Sequence, residues 1–399
     1  MQKSDVCILG GGLVGGVMAL ALAKQGITST VIDIETPENL LNQKLDGRTT
    51  AVNLASAQFF QTIDLWDKMA SHAARIDFIK VYEGNQPWSI QFDHRDLGSA
   101  PMGYIVENRF IRQAIFDAAL THPHINWQAP TKVLAKKISS SKAIVYLDHG
   151  LEIHTPLLIS AEGRHSLSRD EAGIKKKQFT YDQKGLVFSL YHEKPHHNVA
   201  WEVFHPSGPL AFLPMKDSED GRHRSGVVWT LPTAEADTWT AAVADAIASQ
   251  LEHLFPHLGK MELFTQVWSY PLIAQMVDRF IDDRFVIIGD AAHVCHPVAG
   301  QGVNVGWRDA EALTQIITEN KKLGLDLGNM TALKRYQRSR RFDTYSIFAM
   351  TDGMVRLYSN DSKILKPIRS MGLGVVNKIP PLKRFFMKRA MGLSDSRPS

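Results

Sequence analysis

The stretch Gly10-Gly11-Gly12-Leu13-Val14-Gly15 constrains this chain more than any other, because of what flanks it. Asp5 to Leu9 reads as a short buried strand, Leu13 to about Gln25 as an apolar helix, and Ser29 to Ile34 as a second strand. Strand, glycine turn, helix and strand make the first half of a βαβ unit, which leads to a parallel sheet. In that setting the glycines of a GxGxxG permit a tight turn, let backbone amides approach a pyrophosphate and allow close helix packing. Leu13 and Val14 open the helix, whose N-terminal amides favour an anion. Asp33 ends the second strand, where a carboxylate can accept hydrogen bonds from a ribose. A dinucleotide is the functional reading and a purely structural glycine turn the other, and the fingerprint alone does not separate NAD from FAD.

The rest of the composition narrows the class. Of 399 residues 44% are apolar and 22% charged, close to globular averages, so disordered, collagen-like and coiled-coil chains are excluded. A net charge of +4 is too mild to argue for nucleic acid. The two cysteines, Cys7 and Cys295, cannot supply a disulfide framework, which suits a reducing compartment. No charged lead, apolar region and cleavage site follow one another at the N-terminus, and no run of 18 apolar residues occurs, so a cytoplasmic protein is expected.

Along the chain, Arg75 to Leu158 alternates short β-like runs with one helix at Asn108 to Leu120, and Leu157 to Ser160 reads as a buried strand. Between about Gly185 and Tyr270 the pattern changes to aromatic-rich strands, at Leu186 to Tyr191, Val199 to Phe204, Pro209 to Leu213 and Gly226 to Leu231, with one helix around Val243 to Leu254. Arg284 to Ile288 returns to a β run, Val303 to Thr318 is helical, and the remainder is mostly helical and basic. The expected fold is α/β. A discontinuous Rossmann-like dinucleotide domain (residues 1–75, 100–180 and 275–330) carries an inserted β-sheet domain for substrate (76–99 and 181–274), and a helical, basic C-terminal region follows (331–399).

The second half holds Gly289-Asp290-Ala291-Ala292-His293-Val294-Cys295-His296-Pro297-Val298-Ala299-Gly300-Gln301-Gly302-Val303-Asn304-Val305-Gly306-Trp307-Arg308-Asp309. This stretch resembles the flavin-binding signature of the aromatic-ring hydroxylases. From His296 to Asp309 it is similar, more narrowly, to the ubiquinone-biosynthesis hydroxylases, whose pattern is HP-aliphatic-(A or G)-GQGxNxGxxD. The resemblance covers nearly the whole chain and implies a glutathione-reductase-type FAD domain. It implies that a strand ending in Asp290, after Gly289 at the cofactor, offers a carboxylate to the ribityl hydroxyls, that Gly300 and Gly302 let the backbone lie against the flat ring, and that the helix from Val303 points its amides at the flavin, with Asn304 a polar contact. A metal site is the rival reading of His293, Cys295 and His296, set aside because no further ligand cluster occurs and the glycines would go unexplained.

Further resemblances follow. Arg48, in Asp46-Gly47-Arg48, sits where family members carry an arginine on the flavin, and Asn108 where relatives make a polar flavin contact, a plain helix N-cap being its other reading. Ala161-Glu162-Gly163-Arg164-His165-Ser166 is similar to a second nucleotide-associated motif in which Glu162 replaces the usual aspartate. The resemblance implies an FAD-dependent monooxygenase that uses NAD(P)H and O2 through a flavin C4a-hydroperoxide to hydroxylate a 2-polyprenylphenol. His296, Pro297 and Gln301 are the expected catalytic residues, His296 as a proton mediator by its intrinsic pKa. Trp201, Phe204, Phe212, Met215 and Trp229 read either as a pocket for a prenylated ring or as ordinary core.

Ser362 to Ser394 contains eight Lys and Arg before Asp395 with no acid until then, interleaved with apolar residues, and suits an anionic inner-membrane surface or an acidic partner in a biosynthetic complex; a solvated helix pair is the other reading. Other activities on the same scaffold, a reductase, a halogenase or a non-catalytic FAD-binding subunit, stay open at this point.

Overall fold

A computed structural model describes residues 1–42, 47–84, 89–296, 300–358 and 376–393. The expected βαβ start is present, with strand Val6–Leu9, helix Gly15–Lys24 and strand Ser29–Ile32. The strand is wholly buried and the helix is buried from Gly15 to Ala23, which explains why neither shows a polar face in the sequence. Val6–Leu9 lies inside a six-stranded sheet ordered Ile281–Asp282, Phe285–Ile287, Leu157–Ser160, Val6–Leu9, Ser29–Ile32, Ile125–Gln128. All neighbours in it are parallel except the short edge strand Ile281–Asp282. Parallel strands end at one edge of a sheet. Gly10, Asp33, Ala161 and Ile288 therefore emerge side by side, tied by the Gly10 amide to the Ile32 carbonyl (2.8 Å), Ala161 to Leu9 (2.7 Å) and Ile288 to Ser160 (3.0 Å).

Two small sheets flank this body. Thr49–Asn53, Gly103–Glu107 and Ala74–Ile76 form one of three strands, and Gln2–Lys3 joins Glu152–Thr155, Ala143–Leu147 and Val133–Ile138 in another.

The largest sheet has nine strands among the described residues and is mainly antiparallel. Phe78–Glu83 and Ser89–Asp93 enter it from early in the chain and lie beside Val199–His205, Gly208–Pro214, His223–Pro232, Lys176–His192 and Trp268–Val277. One face is sealed by helices Thr233–Ala241 and Ala244–Leu254, over a core of Phe188, Trp201, Leu210, Phe212, Val227 and Leu251.

The structure departs from the sequence reading in three places. Leu186 to Tyr191 is only the end of the 17-residue strand Lys176–His192, whose first half is exposed and polar and so carries no apolar alternation. Two helices stand where one is expected, because Thr233–Ala241 buries only Ala236. Gly289 and Asp290 lie in a 3-10 turn after the strand Phe285–Ile287, with Gly289 at φ 61°, so the acid does not end the strand itself.

The long helices Gly302–Lys322 and Met330–Tyr358 follow. Helix Pro380–Ala390 packs where the three-stranded sheet meets the nine-stranded one. Its Met387, with Met391, packs on Leu54, Met102 and Met215, and Lys383 pairs with Asp96 at 2.8 Å.

Candidate functional site

The glycine turn is built as a cradle. Gly10 has φ 94°, and a Cβ on it or on Gly15 would collide with backbone, with the Ala161 carbonyl in the first case and with that of Gly10 in the second. Gly12 is different: it is exposed and nothing in the chain stands within 4 Å of where its Cβ would be. Two of the three glycines thus serve the fold, and the third leaves room for a ligand. Asp33 takes the Gly11 amide on Oδ2 (2.6 Å) and the Glu35 amide on Oδ1 (2.9 Å), which fixes its carboxylate beside the turn while leaving lone pairs for hydroxyl donors.

The far wall of the cradle comes from the second motif. The Gly289 amide donates to Asp309 Oδ2 (3.0 Å), and the same oxygen holds His293 Nε2 at 2.6 Å. Arg340 Nε reaches Asp309 Oδ1 at 2.7 Å, and Asp343 bridges Arg340 (2.8 Å) to Arg308 (3.0 Å). His293, Asp309 and Arg340 are all buried. Burial pushes the Asp309 carboxyl up, but His293 and Arg340 outweigh it and hold the pKa at about 2. His293 is therefore committed to a carboxylate. Val14 packs where Cβ atoms on Gly289 and Gly306 would stand, and Trp307 Nε1 donates to the Leu13 carbonyl at 2.8 Å, locking the first motif to the second. Asp290 is exposed to the cleft between them; desolvation raises its pKa against the pull of His293, Arg164 and Arg48. Gly302 begins the helix with no atom within 4 Å of its Cβ position, and half-buried Val303 follows it on the core. Gly300, at φ 60°, would set a Cβ 2.9 Å from that of Ala51.

An open Gly12 and Gly302, an amide-lined helix start and two carboxylates facing one cleft fit a dinucleotide with a flat ring. Of the residues expected to hold a cofactor, Gly12, Asp33, Asp290 and Gly302 lie open along this cleft, while Gly10, Leu13, Val14, Gly15, Gly289 and Val303 shape the turns and helix starts that frame it.

Several expectations need correction. Asn304 is fully buried: its Oδ1 accepts from the Asn53 amide (3.1 Å) and Ser56 Oγ (2.8 Å), and its Nδ2 donates to the Ala51 (2.7 Å) and Gly300 (2.9 Å) carbonyls. With its amide spent on the chain it shapes the Gly300 turn instead of contacting a flavin. Asn108 is not an N-cap; Glu107 holds that place, and Asn108 Oδ1 accepts from Thr50 Oγ1 at 2.6 Å, which leaves its Nδ2 for a ligand. Glu162 turns back into its own loop, where Oε2 accepts from Ser160 (2.8 Å), Ser166 (2.7 Å) and the Ser168 amide (3.2 Å), so the added methylene serves the loop rather than a cofactor.

His296 is buried with its ring edge-on to Tyr181 at 5.0 Å, and burial lowers its pKa to about 4 despite Asp352. Burial thus favours the neutral imidazole over the charged form. Gln301 points its Nε2 at the Ala390 carbonyl (3.3 Å) of the last helix, away from the turn's glycines. Together with Arg308, Ile347, Met350, Phe385 and Arg389 it lines a cavity of about 230 Å³. Pro297 lies outside the described residues, as does Asp46.

Arg48 sits over the Tyr270 ring at 5.8 Å and lines a second cavity of about 100 Å³ with Arg109 and Arg112. Gly47 before it, at φ 62°, lies against the Trp268 ring, which occupies the place of a Cβ. The Arg48 segment thereby abuts the large sheet on the face opposite its helices. That face carries one in-register row across six strands, Val81, Glu202, Ala211, Val228, Val187 and Trp268. Every member is half-buried, whereas Phe188, Phe212 and Val227 on the helix side are buried. The row forms a half-buried, mainly apolar floor on this face. Its roof includes helix Met330–Tyr358, through the stack of Tyr358 on Phe204 (4.4 Å) and Tyr181 donating to Asp352 (2.8 Å). Of the aromatic candidates for a pocket, Trp201, Phe212 and Trp229 belong to the helix-side core, while Phe204 and Met215 face the floor's side. Sequence reasoning missed Arg340, Asp343 and the floor. Asp309 is visible in the sequence as the last position of its motif.

Comparison with known proteins agrees with this geometry. Residues 3–342 match the FAD binding domain family. The chain is 39% identical over 392 residues to the ubiquinone hydroxylase UbiL of Rhodospirillum rubrum, covering 98% of this chain and 90% of that protein. It is 31% identical over 402 residues to the 3-demethoxyubiquinol 3-hydroxylase of Escherichia coli, covering 98% and 99%. The crystal structure of p-nitrophenol 4-monooxygenase PnpA from Pseudomonas putida matches over 100% of both chains with a TM-score of 0.81 at 17% identity, which speaks to the fold.

Proposed function

Because the chain belongs to the FAD-dependent hydroxylases of ubiquinone biosynthesis, we propose that it hydroxylates the ring of a 2-polyprenylphenol intermediate with NAD(P)H and O2. The observation that carries the substrate class is the floor of the large sheet: a broad, apolar, half-open surface beside Arg48, on the side of the sheet that meets the cofactor domain. When bound, FAD accepts the reducing equivalents of NAD(P)H and activates O2.

The chain's own residues position and protect. The Asp309 network fixes the Gly289 turn, Asn304 fixes the Gly300 turn, and Arg48 and Arg112, beside Arg109 paired to Glu107, would bring positive charge to a bound flavin. His296 and Tyr181 close the wall and keep water from the reacting face. The cavity beside Gln301, walled by Ile347, Met350 and Phe385, offers an apolar path for an isoprenoid tail.

No described helix is long and apolar enough to cross a membrane. The last helix instead exposes Phe385 next to Arg384, Lys388 and Arg389, and Phe342 is exposed on the preceding helix, a pattern suited to resting on an anionic bilayer. The first half of the basic stretch, 362–375, lies outside the described residues.

The test is the visible spectrum of the purified protein followed by NAD(P)H consumption in air with and without 2-polyprenylphenol. Bound flavin, phenol-stimulated consumption and a product heavier by one oxygen are expected. A flavin-loaded protein that never consumes NAD(P)H with such phenols would overturn the reading.

A further inference from the structure

The in-register row on the floor of the large sheet contains one ionisable residue. In the row Val81, Glu202, Ala211, Val228, Val187, Trp268 the carboxyl of Glu202 is flanked in register by the side chains of Val81 and Ala211. One residue away on its own strand, Trp201 and Val203 point to the opposite face and pack with the helices, so strand alternation sends Glu202 to the half-open side. There it is half-buried, and among the described residues it has neither a hydrogen bond nor an ion pair. An isolated carboxyl on an apolar surface is costly to the fold.

Other titratable groups on this side are accounted for elsewhere. Asp352 accepts from Tyr181, His296 packs on that same ring, Tyr358 stacks on Phe204, and Glu83 is buried two residues beyond Val81. Lys80 alternates to the other face, near His257. None of them sets the ionisation of Glu202, whose pKa burial alone raises to about 7. At neutral pH the group is poised between an acceptor-only carboxylate and its acid.

The geometry points to Glu202 as the residue that accepts a hydrogen bond from the phenolic hydroxyl of the substrate, and so fixes which ring carbon is presented to the flavin. This rests on the phenol-hydroxylase reading above. The floor offers an apolar bed for the ring and a single acceptor, and a phenol offers an apolar face and a single donor. A site built around one such bond discriminates strongly against the analogue that lacks the donor, because the acceptor is then left buried and unpaired.

The test measures binding without turnover, as the perturbation of the flavin spectrum when 2-prenylphenol or its methyl ether, 2-prenylanisole, is added to the oxidised FAD-loaded protein. At pH 8 the wild type is expected to prefer the phenol by about ten- to a hundredfold. The preference is expected to shrink as the pH falls through about 7. Glu202→Leu is expected to bind the ether as well as wild type does and to lose the preference. Glu202→Gln, which keeps an oxygen acceptor of the same shape, is expected to retain a smaller preference that does not vary with pH. Undiminished discrimination by Glu202→Leu, or a wild-type preference flat between pH 5.5 and 8.5, would overturn the assignment while leaving the hydroxylase reading intact. A wild type that binds neither compound would remove the hydroxylase reading, and the assignment with it.

Discussion

The cofactor cradle and the sheet floor solve opposite problems. In the cradle the groups that set the turns are paired: the Gly11 amide with Asp33, the Gly289 amide with Asp309, and Asp309 in turn with His293 and Arg340. On the floor the residues are apolar and loosely covered, and the one carboxylic acid is alone. A cradle must hold one fixed shape for a cofactor that stays, so it gains from a saturated network that permits a single arrangement. A floor must admit and release a greasy ring, so packing it to core density would abolish its use. Saturation marks where the chain holds something permanently, and unfilled apolar surface marks where molecules pass.

The largest effect expected from breaking this contrast is at the glycines. Gly15→Val drives a side chain into the Gly10 carbonyl, and both folding and FAD retention should fail. Gly12→Val meets no atom of the protein, so the apoprotein should melt within a degree or two of wild type while FAD affinity falls by roughly a hundredfold, since the pyrophosphate can no longer approach the amides. Thermal melts with and without FAD read both quantities. If Gly12→Val keeps wild-type affinity, the cradle is not where the cofactor lies.

Asp309→Asn comes next. Replacing a buried carboxylate that faces Arg340 leaves Arg340 and Arg308 with Asp343 alone between them and should cost about 3–5 kcal/mol. The pH dependence has a definite sign. The folded pKa lies at about 2, below the ordinary carboxylate value, so the stabilisation is complete above about pH 4 and is lost as pH falls through 2. Denaturant melts between pH 2 and 5 should therefore show an acid limb in wild type that is weaker in the variant. Parallel curves would mean that the network adds nothing through this charge.

Legibility in the sequence follows the same division. The cradle is written in short contiguous motifs, since the ends of parallel strands bring Gly10, Asp33 and Gly289 together and each motif carries its own turn chemistry. What the motifs could not show is where long side chains go. Asn304 and Glu162 turn inward to backbone and serine partners, Gln301 reaches the last helix, and the burial that keeps His296 neutral comes from Tyr181 and a helix 50 residues later in the chain. The floor is less legible still. Its six members come from six strands and meet through strand register, and only Glu202 and Ala211, nine residues apart across one hairpin, are neighbours within a short window of sequence. Val199 to Phe204 is visible as a strand, but which face Glu202 takes depends on Trp201 packing against helices that themselves were only half foreseen.

The smallest change in stability, and the sharpest test of the comparison, is expected at Val228. Its side chain shares the half-open row with Ala211 and Val187, while its neighbour Val227 is buried beneath the helices. Phe212→Ala on the sealed face should cost about 3–5 kcal/mol through the cavity it leaves. Val228→Phe adds volume where space exists, so it should change stability by less than about 1 kcal/mol, against the 1–3 kcal/mol usual when a filled core is overpacked. The added ring takes the room of a substrate ring, and affinity for 2-prenylphenol should fall more than tenfold with FAD affinity unchanged. Denaturant melts and the two binding titrations separate these outcomes. A destabilisation as large as that of Phe212→Ala would mean that both faces of the sheet are filled, and the space assigned to the phenol would have to lie elsewhere.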